Sequence, residues 1–166
     1  MRPEGGVTKF VHDTGSLLAG MPSLMPGENY TTPLNLKEVK DKDSKDALKR
    51  YEAKLKVMEP DKAYVIKVKK RCEELGERLS ETDVAVVALA LQLHATLLSD
   101  DYGVLNVAKS FGLEARSVRT KGIGGVIKWV NYCPFCRKEY PPWVKVCPDC
   151  GSVLRRRPSK LASREG

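Results

Sequence analysis

Residues 80–111, SETDVAVVALALQLHATLLSDDYGVLNVAKSF, constrain the fold of this chain more than any other stretch. Ser80 and Asp83 have capping-box spacing, the hydroxyl accepting from the backbone three residues on and the carboxylate reaching back. The run from Val84 to Leu93 is almost wholly apolar, which predicts a helix buried on most sides. After His94 the period changes, and residues 95–98 read as a short buried strand. That strand stops at Ser99-Asp100-Asp101, and a second helix follows over residues 102–111, with Gly112 as its stop. Helix, buried strand, helix implies an α/β fold on a parallel sheet, whose chemistry sits at the carboxyl ends of the strands. Asp100 and Asp101 lie at one such end, and Asp83 opens the preceding helix. An active site is expected there.

A chain of 166 residues holds one ordinary domain and a small appendage. It has no run of about eighteen apolar residues. The N-terminus, MRPEGGVTKF, has no signal-peptide core, so the expected location is cytoplasmic, with no membrane partner. Net charge is +8, and its distribution says more than its size. Residues 119–166 hold 11 Lys and Arg against 3 Asp and Glu, whereas residues 1–118 hold 18 of each. A neutral body with a basic C-terminal third points to a polyanionic partner, nucleic acid first. The plainer alternative is a solubilising tail.

In chain order, residues 1–7 read as a loose tail and Lys9–His12 as the first strand, ending at Asp13. Thr14-Gly15-Ser16 then turns into a short helix. Residues 20–29 read as a loop, residues 30–32 as an extended piece, and Pro33 as the opening of a helix carrying Leu34, Leu36, Glu38 and Val39. Asp43 and Ser44 can cap another helix through Tyr51, and residues 55–58 read as a brief strand. Pro60 and Asp61 start an amphipathic helix with Val65, Val68, Cys72 and Leu75 on its apolar face, ended by Gly76. Residues 115–118 are the last strand of the body. KGIGG, residues 121–125, reads as a flexible joint; without a following Gly-Lys-Ser/Thr it is no phosphate-binding loop.

Further on, YCPFCRKEYPPWVKVCPDCGSVLRRR places Cys133, Cys136, Cys147 and Cys150 as two C-x2-C pairs separated by ten residues. Each pair sets two thiolates on one tight knuckle, and two knuckles complete a closed tetrahedral shell for a structural zinc. Disulfides are disfavoured in a cytoplasmic chain, and an iron site is chemically open. Cys72 reads as core. The aromatics Trp129, Tyr132, Phe135, Tyr140 and Trp143 have two available roles, packing this small module or stacking on unpaired bases. Trp143, after Pro141-Pro142 in a hairpin loop, is the better placed for stacking. Arg155, Arg156 and Arg157 read either as a phosphate-binding run or as a disordered tail.

Asp13, Glu38, Asp83 and Asp101 fall where an α/β sheet can bring them together. Converging carboxylates repel unless a divalent cation neutralises them, and oxygen-only ligands suit Mg²⁺ or Mn²⁺. Such ions support in-line phosphodiester hydrolysis. Singly, each has a plainer role: Asp83 and Asp100 or Asp101 as caps, Glu38 as a solvated helix residue. His12 should point to the opposite strand face from Asp13 and be packed and hydrogen-bonded. His94, near a helix C-terminus, is favoured by the dipole.

Taken together, HDTGSLL, YTTPLNLKEVKDKDSK, LSETDVAVVALAL, LLSDDYGVLNVAKSFG and KWVNYCPFC…CPDCG resemble the Nin-one-binding protein family in its archaeal form. These are ribosome-biogenesis endonucleases made of a PIN domain and a zinc ribbon. The resemblance implies a PIN-like three-layer α/β/α sandwich with a parallel sheet over residues 8–118, a linker over 119–131, a zinc ribbon over 132–157 and a basic tail over 158–166. It implies a Mn²⁺- or Mg²⁺-dependent endoribonuclease cleaving single-stranded precursor at the 3′ end of small-subunit ribosomal RNA, on the pre-ribosomal small subunit. The family's acidic motif falls on Asp13, Glu38, Asp83 and Asp101, with Asp100 beside them and Ser99 or Thr82 as the nearby hydroxyl. Lys128, Trp143, Lys145, Arg155, Arg156 and Arg157 are the RNA-binding candidates. One departure from the family pattern is Gly15, which follows Thr14 where a small hydroxyl or Ala-Ser pair is usual. The rival readings are a non-catalytic RNA-binding assembly factor on a degenerate PIN scaffold, and a PIN toxin-type ribonuclease, which the ribbon disfavours.

Overall fold

Phe10, Val11 and His12 are all buried, as befits a strand with neighbours on both sides and layers above and below. This strand, β1 (Lys9–His12), lies at the centre of a parallel sheet with β2 (Glu28–Thr31), β3 (Leu55–Val57), β4 (Thr96–Leu98) and β5 (Ala115–Arg116), in the order β3-β2-β1-β4-β5. The structure is a computed structural model that describes residues 6–119 and 124–159. Right-handed crossovers send β1→β2→β3 one way and β4→β5 the other, so their helices cover opposite faces. α1 (Thr14–Leu18) packs on α2 (Pro33–Glu38) and α3 (Lys42–Lys49). Across the sheet, α4 (Lys62–Leu75), α5 (Glu81–Leu93) and α6 (Tyr102–Ser110) pack on one another. The result is the expected three-layer α/β/α sandwich. Among the described residues no helix is long and apolar enough to cross a membrane.

α5 is buried from Val84 through Ala90, which is why its sequence is apolar all round. Its start follows the capping reading, the Asp83 N–H donating to Ser80 Oγ at 3.1 Å. It ends at His94, whose backbone takes the left-handed conformation (φ 52°) that closes the helix. On α4, Val68, Cys72 and Leu75 face the core as the period indicated.

Three local readings are corrected. β2 begins at Glu28 rather than Tyr30, because Lys9 and Phe10 of β1 pair with Glu28 and Asn29. The cap of α3 is Asp41, whose carboxylate accepts from the Ser44 N–H at 2.9 Å, rather than Asp43 or Ser44. The run at Arg155–Arg157 is no loose tail: Arg155–Pro158 is strand β8, antiparallel to β6 (Trp129–Tyr132), which pairs on its other side with β7 (Glu139–Tyr140). The joint expected at residues 121–125, and the tails expected at 1–7 and 158–166, fall mostly outside the described residues.

His12 is fully buried between β1 and α1. Its Nε2 lies 2.7 Å from Asn29 Oδ1 and its Nδ1 2.7 Å from Ser16 Oγ. The Asn29 amide nitrogen donates to the Gly27 carbonyl, so its oxygen faces the ring. Nε2 therefore carries the proton, and Nδ1 accepts from Ser16. Burial pushes the His12 pKa down from 6.5 to about 4, against the Asn29 hydrogen bond, which raises it. A folded-state pKa below the unfolded one gives stability that is present above pH 6.5 and lost as pH falls towards 4. At about 1.36 kcal/mol per unit, the loss is roughly 3 kcal/mol. Denaturant unfolding measured across that window should show the wild type losing about 3 kcal/mol more stability than His12→Gln.

Candidate metal-dependent active site

The direction in which strands are added reverses between β1 and β4, and their carboxyl ends make the crevice where α/β sheets bind ligands. Pairing of His12 with Leu98, continued by the Asp13 N–H donating to the Leu98 carbonyl at 3.2 Å, sets Asp13 beside Ser99-Asp100-Asp101. Asp13 is also the N-cap of α1: its Oδ1 accepts from the Ser16 N–H at 2.8 Å, and the buried Ser99 hydroxyl bonds the same carboxylate. The interposed Gly15 therefore leaves Asp13 oriented, and of the two candidate hydroxyls Ser99 is the one bonded to it. Ser16 is in turn held by His12. Sequence reasoning missed Ser16, although an Asp followed three residues later by Ser before an apolar pair is an N-cap pattern.

At the end of β4 the two aspartates divide their tasks. Asp100 Oδ1 accepts from the backbone N–H groups of Val118 and Arg119 at 2.6 and 2.8 Å, tying down the chain beyond β5. Asp101 Oδ1 caps α6 through the Val104 N–H at 3.1 Å, and its own N–H donates to Ser99 Oγ. Asp83 rises from the first turn of α5, and Glu38 ends α2, which Thr32 caps at the end of β2.

Electrostatics link all five groups. Burial raises the Asp13 pKa, the bonds from Ser99 and Ser16 oppose that rise, and repulsion from Asp83 and Asp100 adds to it. Burial likewise raises Asp83, its bond to Ser80 opposes, and Asp101 and Glu38 push it further up. Among the described residues neither Asp13 nor Asp83 has an ion-pair partner. Half-buried carboxylates facing one another without a cation fit a divalent ion. No three of these oxygens converge within the 4.8 Å that the cysteine quartet achieves. An ion here would be held through one or two of the carboxylates, with waters completing its shell.

The second cluster is tight. The Sγ atoms of Cys133, Cys136, Cys147 and Cys150 all lie within 4.8 Å of one another, with Cys133–Cys150 at 3.5 Å and Cys147–Cys136 at 3.9 Å. A tetrahedral thiolate site with bonds of about 2.3 Å has edges of about 3.8 Å, so the quartet fits zinc. The knuckles repeat one turn. Arg137 N–H donates to Cys133 O and Gly151 N–H to Cys147 O, and both Arg137 (φ 59°) and Gly151 (φ 76°) are left-handed.

A seam holds this module to the body, and its two central residues, Glu77 and Asn106, carried no signal in the sequence. Asn106 on α6 pairs with the Ile127 backbone, donating to its carbonyl at 2.8 Å and accepting from its N–H at 2.7 Å. Glu77 Oε1 accepts from Asn106 Nδ2 and from the Trp129 indole, each at 2.8 Å. Arg156 stacks 3.9 Å from the Trp129 ring, with its guanidinium 3.5 Å from Glu77 and bonded to the Gly76 carbonyl. A Cβ on Gly76 would meet Trp129 Cβ at 2.8 Å. Arg157 lies over the Tyr132 ring and pairs with Glu139. Lys128, Lys145 and Arg155 are exposed, and Trp143 and Phe135 are 68% and 77% exposed.

Comparisons with known proteins bear on the family and the fold. A family model described as the PIN domain of ribonuclease matches residues 10–93. Endoribonuclease Nob1 of Pyrococcus abyssi is 41% identical over 162 residues, 93% of this chain and 97% of that one. Endoribonuclease Nob1 of Methanocaldococcus jannaschii is 37% identical over 156 residues, 92% of this chain and 79% of that one. Among solved structures, VapBC2 from Rickettsia felis, bound to a DNA fragment from its promoter, matches with a TM-score of 0.53 at 11% identity. It covers 66% of this chain and 98% of that one, and identity so low bears on the fold alone.

The carboxylate repulsion predicts opposite responses with and without a cation. Without one, Asp83→Asn should melt higher than wild type at neutral pH, because a group that resists ionisation is replaced by a neutral one. Asp101→Asn should stay within about 0.5 kcal/mol of wild type, since asparagine caps as well as aspartate. Mn²⁺ at about a hundredfold its Kd should stabilise wild type by about 2.7 kcal/mol, and both variants clearly less. Thermal melting with and without Mn²⁺ reads all three.

Proposed function

Because the chain belongs to the Nob1 family of PIN-domain endoribonucleases, we propose that it hydrolyses phosphodiester bonds in single-stranded precursor RNA. The proposed substrate is the 3′ end of small-subunit ribosomal RNA within the pre-ribosomal small subunit, in the cytoplasm. The observation that carries the reading is the β1–β4 register, which sets Asp13 beside Ser99-Asp100-Asp101 at the switch point, with Asp83 and Glu38 close enough to act electrostatically and no cation of the described chain paired to Asp13 or Asp83.

In this reading Mn²⁺ or Mg²⁺ at the carboxylates supplies Lewis acidity and lowers the pKa of attacking water. The chain's own contribution is to hold the oxygens in place. Ser16 N–H and the Ser99 hydroxyl fix Asp13, and the cap to Val104 fixes one oxygen of Asp101, leaving the other for ligation. Asp83 and Glu38 close the far side of the crevice. Asp100, held by two backbone donors, keeps the wall in place and adds negative charge.

The division of labour proposed is a nuclease body over residues 8–118, a connection over 119–131 whose last residues enter the ribbon sheet, a ribbon over 132–157 and a basic tail beyond. Zinc at Cys133, Cys136, Cys147 and Cys150 holds the ribbon. Lys128, Lys145 and Arg155, with the remaining donors of Arg156 and Arg157, meet phosphates, and Trp143 stacks on a base. Structural zinc contributes roughly 10–16 kcal/mol in finger peptides. Cys147→Ser should therefore unfold the ribbon and release one zinc per chain, seen by elemental analysis, while the parallel-sheet body stays folded.

The deciding assay incubates the full chain with a precursor spanning the small-subunit 3′ end. Cleavage is expected with Mn²⁺ and none with EDTA, and Asp101→Asn should lower the rate by about two orders of magnitude. A wild type that binds the precursor but never cuts it with Mn²⁺ would favour a non-catalytic assembly factor.

A further inference from the structure

A cleft of about 680 Å³ opens between α2, the first half of α4 and the first turn of α5. Its floor is apolar, with Leu34, Val65 and Ile66, and Lys37, Lys62 and Lys69 stand around it. Lys62, Ile66 and Lys69 follow one another at helical spacing along α4, so they share a face, and Ile66 is 65% exposed between the two lysines. This is not the face that α4 turns to the core, which carries Val68, Cys72 and Leu75.

The cleft opens at the carboxyl-terminal end of the sheet, the end that carries the carboxylates, because Thr32 and Pro33, which directly follow β2, line it. Lys37 precedes Glu38 on α2, and Glu81, which lines the cleft, lies two residues before Asp83 on α5. Glu38 and Asp83 sense each other directly. A polyanion that places one phosphate at the carboxylates must run its neighbouring nucleotides along some surface, and this one offers three ammonium groups beside an apolar floor. Glu59 and Glu81 also line it.

We propose that this cleft is a second RNA subsite, separate from the ribbon, which holds the single strand flanking the scissile phosphate. Lys37, Lys62 and Lys69 take phosphates, and Ile66 with Val65 and Leu34 packs against ribose and base edges. The inference rests on the reading of the chain as an RNA nuclease, and binding is measured without cleavage so that the two can fail separately.

The test uses the full chain, a fluorescein-labelled single-stranded RNA dodecamer, and Ca²⁺ in place of Mn²⁺. Lys37→Ala/Lys62→Ala/Lys69→Ala is compared with a charge-matched control, Lys42→Ala/Lys45→Ala/Lys49→Ala on α3. Each phosphate contact contributes about −0.7 to the slope of log affinity against log salt on single strands. The cleft variant should flatten the slope by about 2 and weaken binding about tenfold or more, whereas the control changes little. Ile66→Ala should weaken binding with no change of slope. In Mn²⁺ the cleft variant should raise KM and keep kcat at saturating RNA. Equal slopes for the cleft variant and the control would overturn the subsite, leaving those lysines a solvated face. A normal slope with a change in sedimentation would overturn it in favour of a contact between copies of the chain. Loss of slope in a protein that never cleaves would keep the subsite and discard the nuclease reading.

Discussion

Everything at the functional end of this molecule depends on the parallel pairing of β1 with β4. In register His12 faces Leu98, so the residues that leave the two strands are held side by side whatever their charges. The hydrophobic layer beneath, with Val11, Leu97 and the apolar length of α5 fully or almost fully buried, drives that pairing. Carboxylates that would separate in an open chain are thus kept together by burial elsewhere. Burial first, and repulsion from neighbouring carboxylates after it, raises the pKa values of Asp13 and Asp83, a cost that a divalent cation would offset. Stability of the core and affinity for metal are two sides of one arrangement.

The same site is coupled to the ribbon through short connections. A methyl group on Gly103, in the first turn of α6, would crowd Asp101 Oδ1 and Glu77 Oε2, which both lie 3.2 Å from where its Cβ would stand. Glu77 is thus adjacent to the helix turn that carries Asp101, and it also holds Trp129 and faces Arg156. With its side chain only 10% exposed, its bonds are worth more than those of a surface pair. Glu77 therefore ties the ribbon to the helix turn that carries Asp101.

What was legible in the sequence was local. The α5–β4–α6 succession shows because its periods change sharply at His94 and Ser99, and the cysteine quartet shows because its spacing is chemical. The acidic set could be listed, but spacing alone assigned no partners: that Asp100 serves the backbone while Asp101 caps α6 follows from contacts 18 residues away in one case and three in the other. β2 was read two residues short because Asn29 looks like a loop residue, and its strand position is secured by His12, 17 residues away. Arg156 and Arg157 looked like a free cationic run because the rings they cover, Trp129 and Tyr132, lie on the opposite strand. Apart from the local cap at Asp101, the deciding partner was distant in sequence each time, and local pattern carries no information about it.

The central claim is that the fold forces Asp13 and Asp83 together and that a divalent cation relieves the strain. Carboxyl carbon NMR titration of the two side chains, without metal and with diamagnetic Mg²⁺, tests it directly. The account predicts that both titrate above ordinary aspartate in the metal-free protein, that Mg²⁺ brings both down, and that Asp83→Asn lowers the Asp13 value on its own. Ordinary values in the metal-free protein, unmoved by Mg²⁺, would contradict it.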